Sequence, residues 1–473
     1  MRGIISAAGY VPYRRLSRSD ISAFMGSGGG KGHRSVASHD EDTTTLGVEA
    51  ARLALKGAPG VTPDALWFAT STPAYLDKTN ATALSAALRL GHEVAAYDFG
   101  GALRSGVGCL ATALSGSGTT LVVAADVRDG LPTSADESAG GDGGAAVIVG
   151  DGPNVVAELV AMASASDEFT ERWRAPGDRQ SKLWEDRFGE TRYVALGAET
   201  FARALKLAGI TADDVVRVIV TGMHGRAVSV VAKKLGVAES ALSDDLSSSV
   251  GQTGAAHPLL VLSSVLESLA GEGAGKHIVV VHLADGADVV VLRTTSALSE
   301  FRSVRPVTAQ IANATDIPYS KFLSWRGQLS PEPPRRPEPA RVSSTAAHRN
   351  EEWKFGFVGS KDRTSGAIHL PPSRVSMEGG AVDDMEPLAM ADAVGTVVTF
   401  TIDRMVYSPS PPVVFAIVDF DGGGRFPVEL TDVDAGEVKV GGRVEMTFRR
   451  LFSADGIHDY FWKGRPVRQG GDV

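Results

Sequence analysis

The sequence predicts an α/β fold built from two similar halves, followed by a small all-β barrel. Apolar strand segments alternate with helical segments, and the strand pattern of the first half returns in the second. The C-terminal part instead has alternating strand sequence with glycine turns, which is typical of a small barrel. A chain of 473 residues also exceeds what one core usually supports, so we expect at least two domains.

The internal repeat is visible in three pairs of strand segments: 64–70 with 214–220, 121–130 with 277–286, and 141–151 with 285–294. Helical segments lie between them, at 80–90 and 102–114 in the first half and at 227–235 and 258–270 in the second. Continuous apolar strands separated by helices predict a mostly parallel sheet that is covered on both faces. Asp-Gly turns before Ala145 and Val289 predict a hairpin that closes each half.

The domain boundaries follow from composition. Residues 324–345 are rich in proline and charge, so they predict a linker that holds neither a helix nor a central strand. We therefore expect the α/β domain at 1–323, with halves at about 1–155 and 156–323. A short segment at 346–390 and the barrel at 391–473 complete the chain.

Charge and composition exclude several classes of protein. The formal net charge is −9 with interspersed signs, which argues against nucleic-acid binding. We see no apolar run of the roughly 18 residues that a membrane helix needs, and the N-terminus does not resemble a signal peptide. Cys109 is the single cysteine, which excludes an internal disulfide and a multi-cysteine metal site. A soluble cytoplasmic protein is the expectation.

The segment 95–114, AAYDFGGALRSGVGCLATAL, has the features of a catalytic turn. An apolar strand runs into Gly100 and Gly101, and a helix of small residues follows at once. Glycines permit a sharp turn, and a helix start directs unpaired N–H groups at a ligand. The segment resembles the nucleophile turn of the thiolase superfamily, most closely the hydroxymethylglutaryl-CoA synthase and ketoacyl-acyl-carrier-protein synthase III branch. The resemblance implies a duplicated five-layer fold, an acyl-CoA substrate and a homodimer.

The nucleophile of that family is missing. The family pattern Asp-x-x-x-Ala-Cys aligns with Asp98, Ala102 and Leu103, so a leucine stands at the cysteine position. Cys109 lies six residues further on, nearly two helical turns away, among apolar neighbours. We expect it to be a buried packing thiol.

The family histidine is missing as well. Counted back from Ala-Lys-Lys-Leu-Gly at 232–236, Thr221 takes the histidine position and His224 takes the asparagine position. Arg226 stays in register, and the resemblance implies that it contacts the coenzyme.

Two further loops complete the comparison with the family. Pro73 occupies the place of the general-base glutamate, with Tyr75 nearby. The last site loop, Gly-Asn-Thr in the synthase III branch, aligns with 251–254, and His257 follows it.

Two interpretations follow for the site. In the first, it makes or breaks a carbon–carbon bond of an acyl-CoA without an acyl-enzyme, by aldol or retro-aldol chemistry. His224, His257 and Tyr75 would transfer protons, with His224 the first candidate, and N–H groups at Leu103 and Gly101 would hold the oxyanion. In the second, the domain is a non-catalytic scaffold for another thiolase. An acyltransferase with a displaced nucleophile is a further alternative. No permanently bound cofactor is expected, since the CoA thioester is the substrate.

The C-terminal part resembles the OB-fold proteins that accompany thiolase-like enzymes acting on acyl-CoA. The matching residues include 395–401, 410–412, 418–424, 441–444 and 460–462. Those proteins usually carry a zinc ribbon, but 362–379 lacks its four cysteines, so we expect no metal there. Acidic loops argue against use of the barrel for single-stranded nucleic acid.

An acidic segment near the N-terminus, 40–43, is similar to one in archaeal-type hydroxymethylglutaryl-CoA synthases. Asp42 or Thr43 can cap the helix that follows. For the acids we expect capping and solvated surface rather than a functional role.

Overall fold

A computed structural model of the chain describes residues 1–468, so the last part of the predicted barrel segment, 469–473, lies outside the described residues. The first half contains β1 (Arg2–Tyr10), β2 (Arg14–Ser17), α1 (Arg18–Met25), β3 (His33–Val36), α2 (Thr43–Lys56), β4 (Ala65–Thr70), α3 (Ala81–Ala87), β5 (Ala95–Gly100), α4 (Ser105–Ser115), β6 (Thr120–Asp126), α5 (Ala135–Ala139) and β7 (Gly143–Asp151).

The second half continues with β8 (Ala157–Ser166), β9 (Arg172–Trp173), β10 (Lys182–Leu183), α6 (Asp186–Ala208), β11 (Val215–Gly222), α7 (Gly225–Lys234), α8 (His257–Leu269), β12 (His277–Leu283), β13 (Gly286–Thr294), α9 (Val307–Ala312), β14 (Thr315–Asp316) and α10 (Tyr319–Trp325). After it come α11 (Ser344–Arg349), α12 (Glu351–Lys354), β15 (Val358–Asp362), β16 (Ile368–His369), β17 (Met385–Ala389), β18 (Val394–Asp403), β19 (Val413–Phe420), β20 (Arg425–Leu430), β21 (Arg443–Ala454) and β22 (Ile457–Pro466).

A nine-stranded sheet in the order β11-β12-β13-β8-β1-β7-β6-β4-β5 organises the first two thirds of the chain. Read outward from the β8–β1 pair, the two sides match strand for strand, with β13 opposite β7, β12 opposite β6, and β11 opposite β4. The sequence repeat is therefore also a repeat in the topology of the sheet. β5 is the additional strand and forms one edge.

The expectation of a mostly parallel sheet is wrong in detail. Three of the pairings are parallel and five are antiparallel, because β1, β7, β8 and β13 run against their neighbours. The predicted hairpin forms at Asp285 and Gly286, which have φ of 45° and 138°. The corresponding turn of the first half is not a hairpin, because α5 intervenes between β6 and β7.

The helices form the remaining layers. α4 and α8 share one apolar core with both halves of the sheet, which places them in the centre. α2 and α3 cover the other face of the first half, and α6 and α7 cover the other face of the second. The burial of both faces explains why the strands are nearly continuously apolar.

A small three-stranded sheet lies at the edge of this core. β2 pairs with β3 and β14, and α1 and α10 pack beside them around Leu16, Ile21 and Phe322. This peripheral sheet and its helices contribute to the site, because the C-terminal end of α10 reaches the main cavity.

The C-terminal barrel is closed, in the order β18-β19-β20-β22-β21. Its interior is aromatic: Phe448 stacks on Tyr460 with ring centroids 5.6 Å apart, and Trp462 lies edge-on to Phe448 at 5.5 Å. The structure thus has the small barrel that the glycine-punctuated strands predict.

The segment before the barrel is a three-stranded sheet in the order β16-β15-β17. Asp362 takes the centre of its turn and accepts hydrogen bonds from the N–H of Thr364 at 2.9 Å and the hydroxyl of Ser365 at 2.6 Å. The Ser365 bond, a second hydroxyl bond from Ser376 and the Thr364 bond lower the pKa of Asp362 to about 2. Hydrogen bonds to one carboxylate therefore hold the turn together.

Candidate functional site

The turn between β5 and α4 has the sharp geometry that its glycines predict. Gly101 has φ of 95°, in the left-handed region that favours glycine, and its N–H donates to the carbonyl of Thr70 at 3.1 Å. That N–H is therefore occupied. Leu103 is half-buried, and within residues 1–468 its N–H has no hydrogen-bond acceptor. Of the two predicted oxyanion positions, only Leu103 keeps a backbone donor.

Arg104 ties the turn to the second half of the sheet. Its Nε and Nη2 bond the two carboxylate oxygens of Asp288 at 2.6 and 3.0 Å. Further bonds reach Ser166 Oγ at 2.8 Å and the carbonyl of Ala165 at 3.0 Å. A two-pronged guanidinium–carboxylate pair is rigid, so both halves fix the position of this turn.

Two buried histidines lie behind the turn. His282 contacts the backbone of Leu103, and its Nδ1 is 3.0 Å from Thr221 Oγ1. His257 Nδ1 lies 3.3 Å from both the N–H and the hydroxyl of Thr253. Burial lowers the pKa of each imidazole to about 4, so both are neutral at pH 7. His257 is thus a buried residue that orients the 251–254 loop, and it is not among the described residues that line the main cavity.

His224 caps α7. Its Nδ1 accepts from the N–H of Ala227 at 3.2 Å, and its Nε2 lies 2.9 Å from the carbonyl oxygen of Asp186 and 3.0 Å from its carboxylate. Both ring nitrogens therefore have partners. Arg226, whose side chain is 71% exposed, approaches the same carboxylate at 3.6 Å. Neither residue is among those described around the main cavity.

Cys109 is fully buried on α4. Burial raises the pKa of its thiol well above the usual range. The thiol form cannot attack a thioester, because the nucleophile is the thiolate.

The main cavity, of about 690 Å³, lies between the α/β core and the barrel. The end of β4, the turn at Gly100 and Gly101, the loop 174–179 and the end of α10 supply most of its wall. Residues of the segments 38–43 and 71–76 add to the wall on the α/β side, and the barrel contributes Arg450 and His458 of the β21–β22 hairpin. The polar groups that matter chemically are Ser38, His39, Glu41, Asp42, Ser71, Thr72, Tyr75, Asp98, Asp129, Arg174, Arg179, Arg326, Arg450 and His458.

Asp126, at the end of β6, accepts hydrogen bonds from the hydroxyl residues at the end of β4 in the cavity wall. Its Oδ1 accepts from the N–H of Ser71 at 2.7 Å and the hydroxyl of Thr70 at 2.9 Å. Its Oδ2 accepts from Ser71 Oγ at 2.8 Å and the N–H of Ala255 at 2.8 Å. The Ser71 proton is directed at a carboxylate rather than at an imidazole, so this hydroxyl is a structural group and not an activated nucleophile.

Tyr75 meets the barrel hairpin inside the cavity. Its hydroxyl accepts from the N–H of His458 at 2.8 Å, and the two rings lie 5.2 Å apart. Ser453 on the facing strand is 2.6 Å from His458 Nδ1. The hydroxyl proton of Tyr75 remains available for a substrate, because this contact uses the oxygen as an acceptor.

Arg174 lies in the cavity wall, and its guanidinium is not paired with a carboxylate among residues 1–468. Its guanidinium donates to the backbone carbonyls of Ser71 and Arg179. The other cavity arginines differ: Arg326 pairs with Asp142, and Arg450 approaches Asp42 at 3.5 Å. Arg174 is therefore the group best suited to receive negative charge.

A buried ionic cluster joins the barrel to the α/β core below the cavity. Arg449 Nη2 lies 3.0 Å from Glu41 Oε1 and 2.8 Å from Asp432 Oδ2. Lys463 Nζ lies 3.0 Å from Asp40 Oδ2. Burial raises the pKa of Glu41 to about 7 against the opposing effect of Arg449.

The expectation of a solvated acidic segment is therefore wrong for Asp40 and Glu41, both of which are buried. The barrel supplies the cations that compensate them. Asp42 does cap α2, with its Oδ1 accepting from the N–H of Thr45 at 3.0 Å in a capping box.

Of the predicted site residues, the structure brings Tyr75 and Gly101 to the cavity. His224, His257, Arg226 and Leu103 are not among its described lining residues. Sequence analysis did not identify Arg174, Arg450 and His458. Nothing local in the sequence distinguishes them, since Arg174 lies in a loop and Arg450 and His458 lie within barrel strands.

Within residues 1–468, no helix is both long enough and apolar enough to cross a bilayer. The same residues contain no cluster of three or more His, Cys, Asp or Glu side chains arranged to hold a metal ion.

Comparisons with known proteins match both parts of the chain. The family model of the ChsH2 C-terminal OB-fold domain matches residues 389–449. The hydroxymethylglutaryl-CoA synthase of Thermococcus gammatolerans is 29% identical over 341 residues, covering 68% of this chain and 95% of that protein. The Pyrococcus furiosus protein of the same name is 30% identical over 279 residues, covering 56% and 79%. A crystal structure of HMG-CoA synthase complexed with CoA superposes with a TM-score of 0.59 at 16% identity, covering 68% of this chain and 89% of that one.

Proposed function

The chain belongs to the hydroxymethylglutaryl-CoA synthase family, and we propose that it makes or breaks a carbon–carbon bond of an acyl-CoA thioester without an acyl-enzyme. One observation carries the proposal. A large cavity that contains several charged and hydroxyl side chains adjoins the nucleophile turn, while the turn itself has leucine at position 103 and the chain's single thiol is buried.

An aldol-type reaction suits these groups. In the cleavage direction, the C3 hydroxyl of a 3-hydroxyacyl thioester loses its proton and becomes a carbonyl. The C2–C3 electron pair moves into the thioester as an enolate, and C2 then takes up a proton. The products are a shortened acyl-CoA and an aldehyde or ketone. Condensation is the same sequence in reverse. The site must therefore exchange protons at C2 and at the C3 oxygen and must stabilise one oxyanion.

We assign the C2 proton to Tyr75 and the enolate oxygen to Arg174. Tyr75 has a free hydroxyl proton in the cavity, and Arg174 has a guanidinium whose partners are neutral carbonyls. A cation held in a partly buried wall stabilises developing negative charge more strongly than it would in water.

The choice of a CoA thioester rests on the relatives. Those that align over most of their length are named hydroxymethylglutaryl-CoA synthases, and one similar structure contains CoA. The coenzyme would enter as part of the substrate and leave with the product. A homodimer and a cytoplasmic location remain predictions. The exposed edge strand β5, with Tyr97 58% exposed, is the surface on which a dimer would be sought.

The test compares Tyr75→Phe with Tyr407→Phe, a tyrosine on the barrel outside the cavity. With a 3-hydroxyacyl-CoA that the wild type cleaves, Tyr75→Phe should lower kcat about 100- to 10,000-fold, the typical contribution of a proton-transfer group. Tyr407→Phe should retain activity. Arg174→Gln should lower kcat as well, because the enolate loses its cation.

Two results would contradict the assignment. Near-normal turnover by Tyr75→Phe, with loss in His224→Asn, would transfer the role to His224. Failure of the wild type to turn over any 3-hydroxyacyl- or 3-ketoacyl-CoA would favour a non-catalytic scaffold.

A further inference from the structure

We propose that the barrel is part of the catalytic site, and that His458 on its β21–β22 hairpin exchanges the proton at the C3 oxygen of the substrate. The inference rests on the proposed function. It adds a second proton-transfer residue and assigns it to a different domain from the first.

The geometry of His458 is that of a positioned acid–base group. Its backbone N–H is held by the Tyr75 hydroxyl at 2.8 Å, and its Nδ1 is held by Ser453 Oγ at 2.6 Å. Nε2 has no hydrogen-bond partner within residues 1–468, and the side chain lines the cavity. Because the Ser453 hydroxyl can donate or accept, it serves both tautomers, so Nε2 can either take or give a proton.

The surrounding charges favour the neutral imidazole. Burial and then the nearby Arg450 guanidinium lower the pKa of His458, while Asp42 opposes them. The two other titratable groups in contact are Tyr75 and Tyr460, whose ring centroids lie 5.2 and 6.1 Å away. A neutral imidazole at pH 7 is competent as a base.

His39 is the competing imidazole in the cavity. Its ring lies 5.6 Å from Trp325, but within residues 1–468 neither ring nitrogen has a hydrogen-bond partner. Burial lowers its pKa to about 4, so the ring is neutral at pH 7. His458 is the better oriented of the two, because Ser453 holds its Nδ1.

His458 Nε2 takes the proton of the C3 hydroxyl, the oxygen's electron pair forms the new carbonyl, and the C2–C3 pair becomes the enolate held by Arg174. Tyr75 donates its proton to C2. His458 then releases its proton to solvent, and the tyrosinate takes up a proton from solvent, so the two residues are restored independently of each other. In condensation each transfer is reversed.

The experiment separates the two protons. The shortened acyl-CoA is incubated in deuterium oxide without an aldehyde or ketone. Exchange of its C2 hydrogen for deuterium then requires Tyr75, but it requires no proton transfer at a C3 oxygen. In His458→Gln we therefore expect C2 exchange near the wild-type rate, while cleavage of the 3-hydroxyacyl-CoA falls about 100- to 10,000-fold. Tyr75→Phe should lose both. His348→Gln, an exposed histidine on α11, is the matched control and should lose neither.

The pH profile supplies a second readout. The acid limb of kcat/KM should lie below the ordinary histidine pKa of about 6.5 and should disappear in His458→Gln. Loss of exchange and cleavage together in His458→Gln would mean a structural role, and unchanged cleavage would mean no role. Both outcomes overturn the inference while leaving the proposed function intact. A wild type that performs neither reaction overturns both.

Discussion

Arg449 of the barrel and Glu41 of the α/β core form an ion pair at 3.0 Å with both side chains fully buried. The pair joins residues far apart in sequence and lies directly beneath the proposed site. Tyr10, whose hydroxyl donates to Glu41 at 2.7 Å, and Asp432 extend it into a network. Removal of a charge from such a network leaves its partner buried and uncompensated, which is costly.

The first prediction concerns this network. Arg449→Met keeps the length of the side chain but removes its charge, so the free energy of unfolding should fall by about 3–5 kcal/mol. Urea unfolding followed by tryptophan fluorescence measures it. Arg425→Met removes the cation of the surface pair with Asp419 and should leave the midpoint nearly unchanged. Equal effects of the two variants would show that the buried network does not stabilise the chain.

The second prediction concerns the stability of the fold at low pH. Burial opposes ionisation of Asp40 and Glu49, but Lys463 acts on Asp40 and Arg52 on Glu49 to hold the pKa of each well below its usual range. Lowered carboxyl pKa values give stability that is complete above about pH 5 and is lost as the pH falls further.

Urea unfolding midpoints measured between pH 7 and pH 2 test the predicted direction of this pH dependence. The contribution of Asp40 and Glu49 should disappear progressively below about pH 5. In Lys463→Met the loss should be smaller, because Asp40 without its nearest cation has a pKa closer to that of the unfolded chain. An identical pH dependence in the variant would contradict the account. Glu41, whose pKa is raised to about 7, acts in the opposite sense and favours the fold as it protonates.

The third prediction is that the segment before the barrel folds without metal. Since Asp362 accepts the hydrogen bonds that hold its turn, a chelator should not change the unfolding midpoint, whereas Asp362→Asn should lower it. Asp383→Asn, on the exposed ion pair with Arg374, is the control. About one zinc per chain by elemental analysis, removable only with unfolding, would contradict this prediction.

Much of the fold could be predicted from the sequence because its signals are local. The helices at 102–114 and 258–270 appear as α4 and α8 with small shifts at their ends. The internal repeat reappears in the strand order. Strand direction could not be predicted from apolarity alone, since a buried antiparallel strand reads the same as a parallel one.

The site was harder to predict because it is assembled by contacts between distant parts of the chain. The resemblance to the family directed attention to the loops that hold its cysteine, histidine and asparagine, where His224 and His257 stand. The structure gives both ring nitrogens of His224 partners and buries His257. The cavity brings the predicted Tyr75 together with Arg174 and His458, which come from two other segments. Asp40 and Glu41 were judged solvated because nothing local reveals cations that the barrel brings.

The fourth prediction is that no covalent acyl-enzyme forms. Cys109 is buried and its thiol pKa is raised, so it is inert toward a thioester. Intact-mass measurement after mixing the full chain with acetyl-CoA should show the bare mass, and Cys109→Ala should turn over at the wild-type rate. A stable adduct on Cys109, or loss of turnover in the variant, would indicate a displaced nucleophile.

The most direct test of the central claim is a substrate panel read by mass spectrometry. The wild-type chain is incubated with 3-hydroxyacyl- and 3-ketoacyl-CoA esters, and separately with acyl-CoA plus aldehydes or ketones. The account predicts carbon–carbon cleavage or formation with at least one member, catalytic in enzyme, with the protein mass unchanged throughout. Absence of turnover with every member, or turnover that proceeds through an acylated chain, would contradict it.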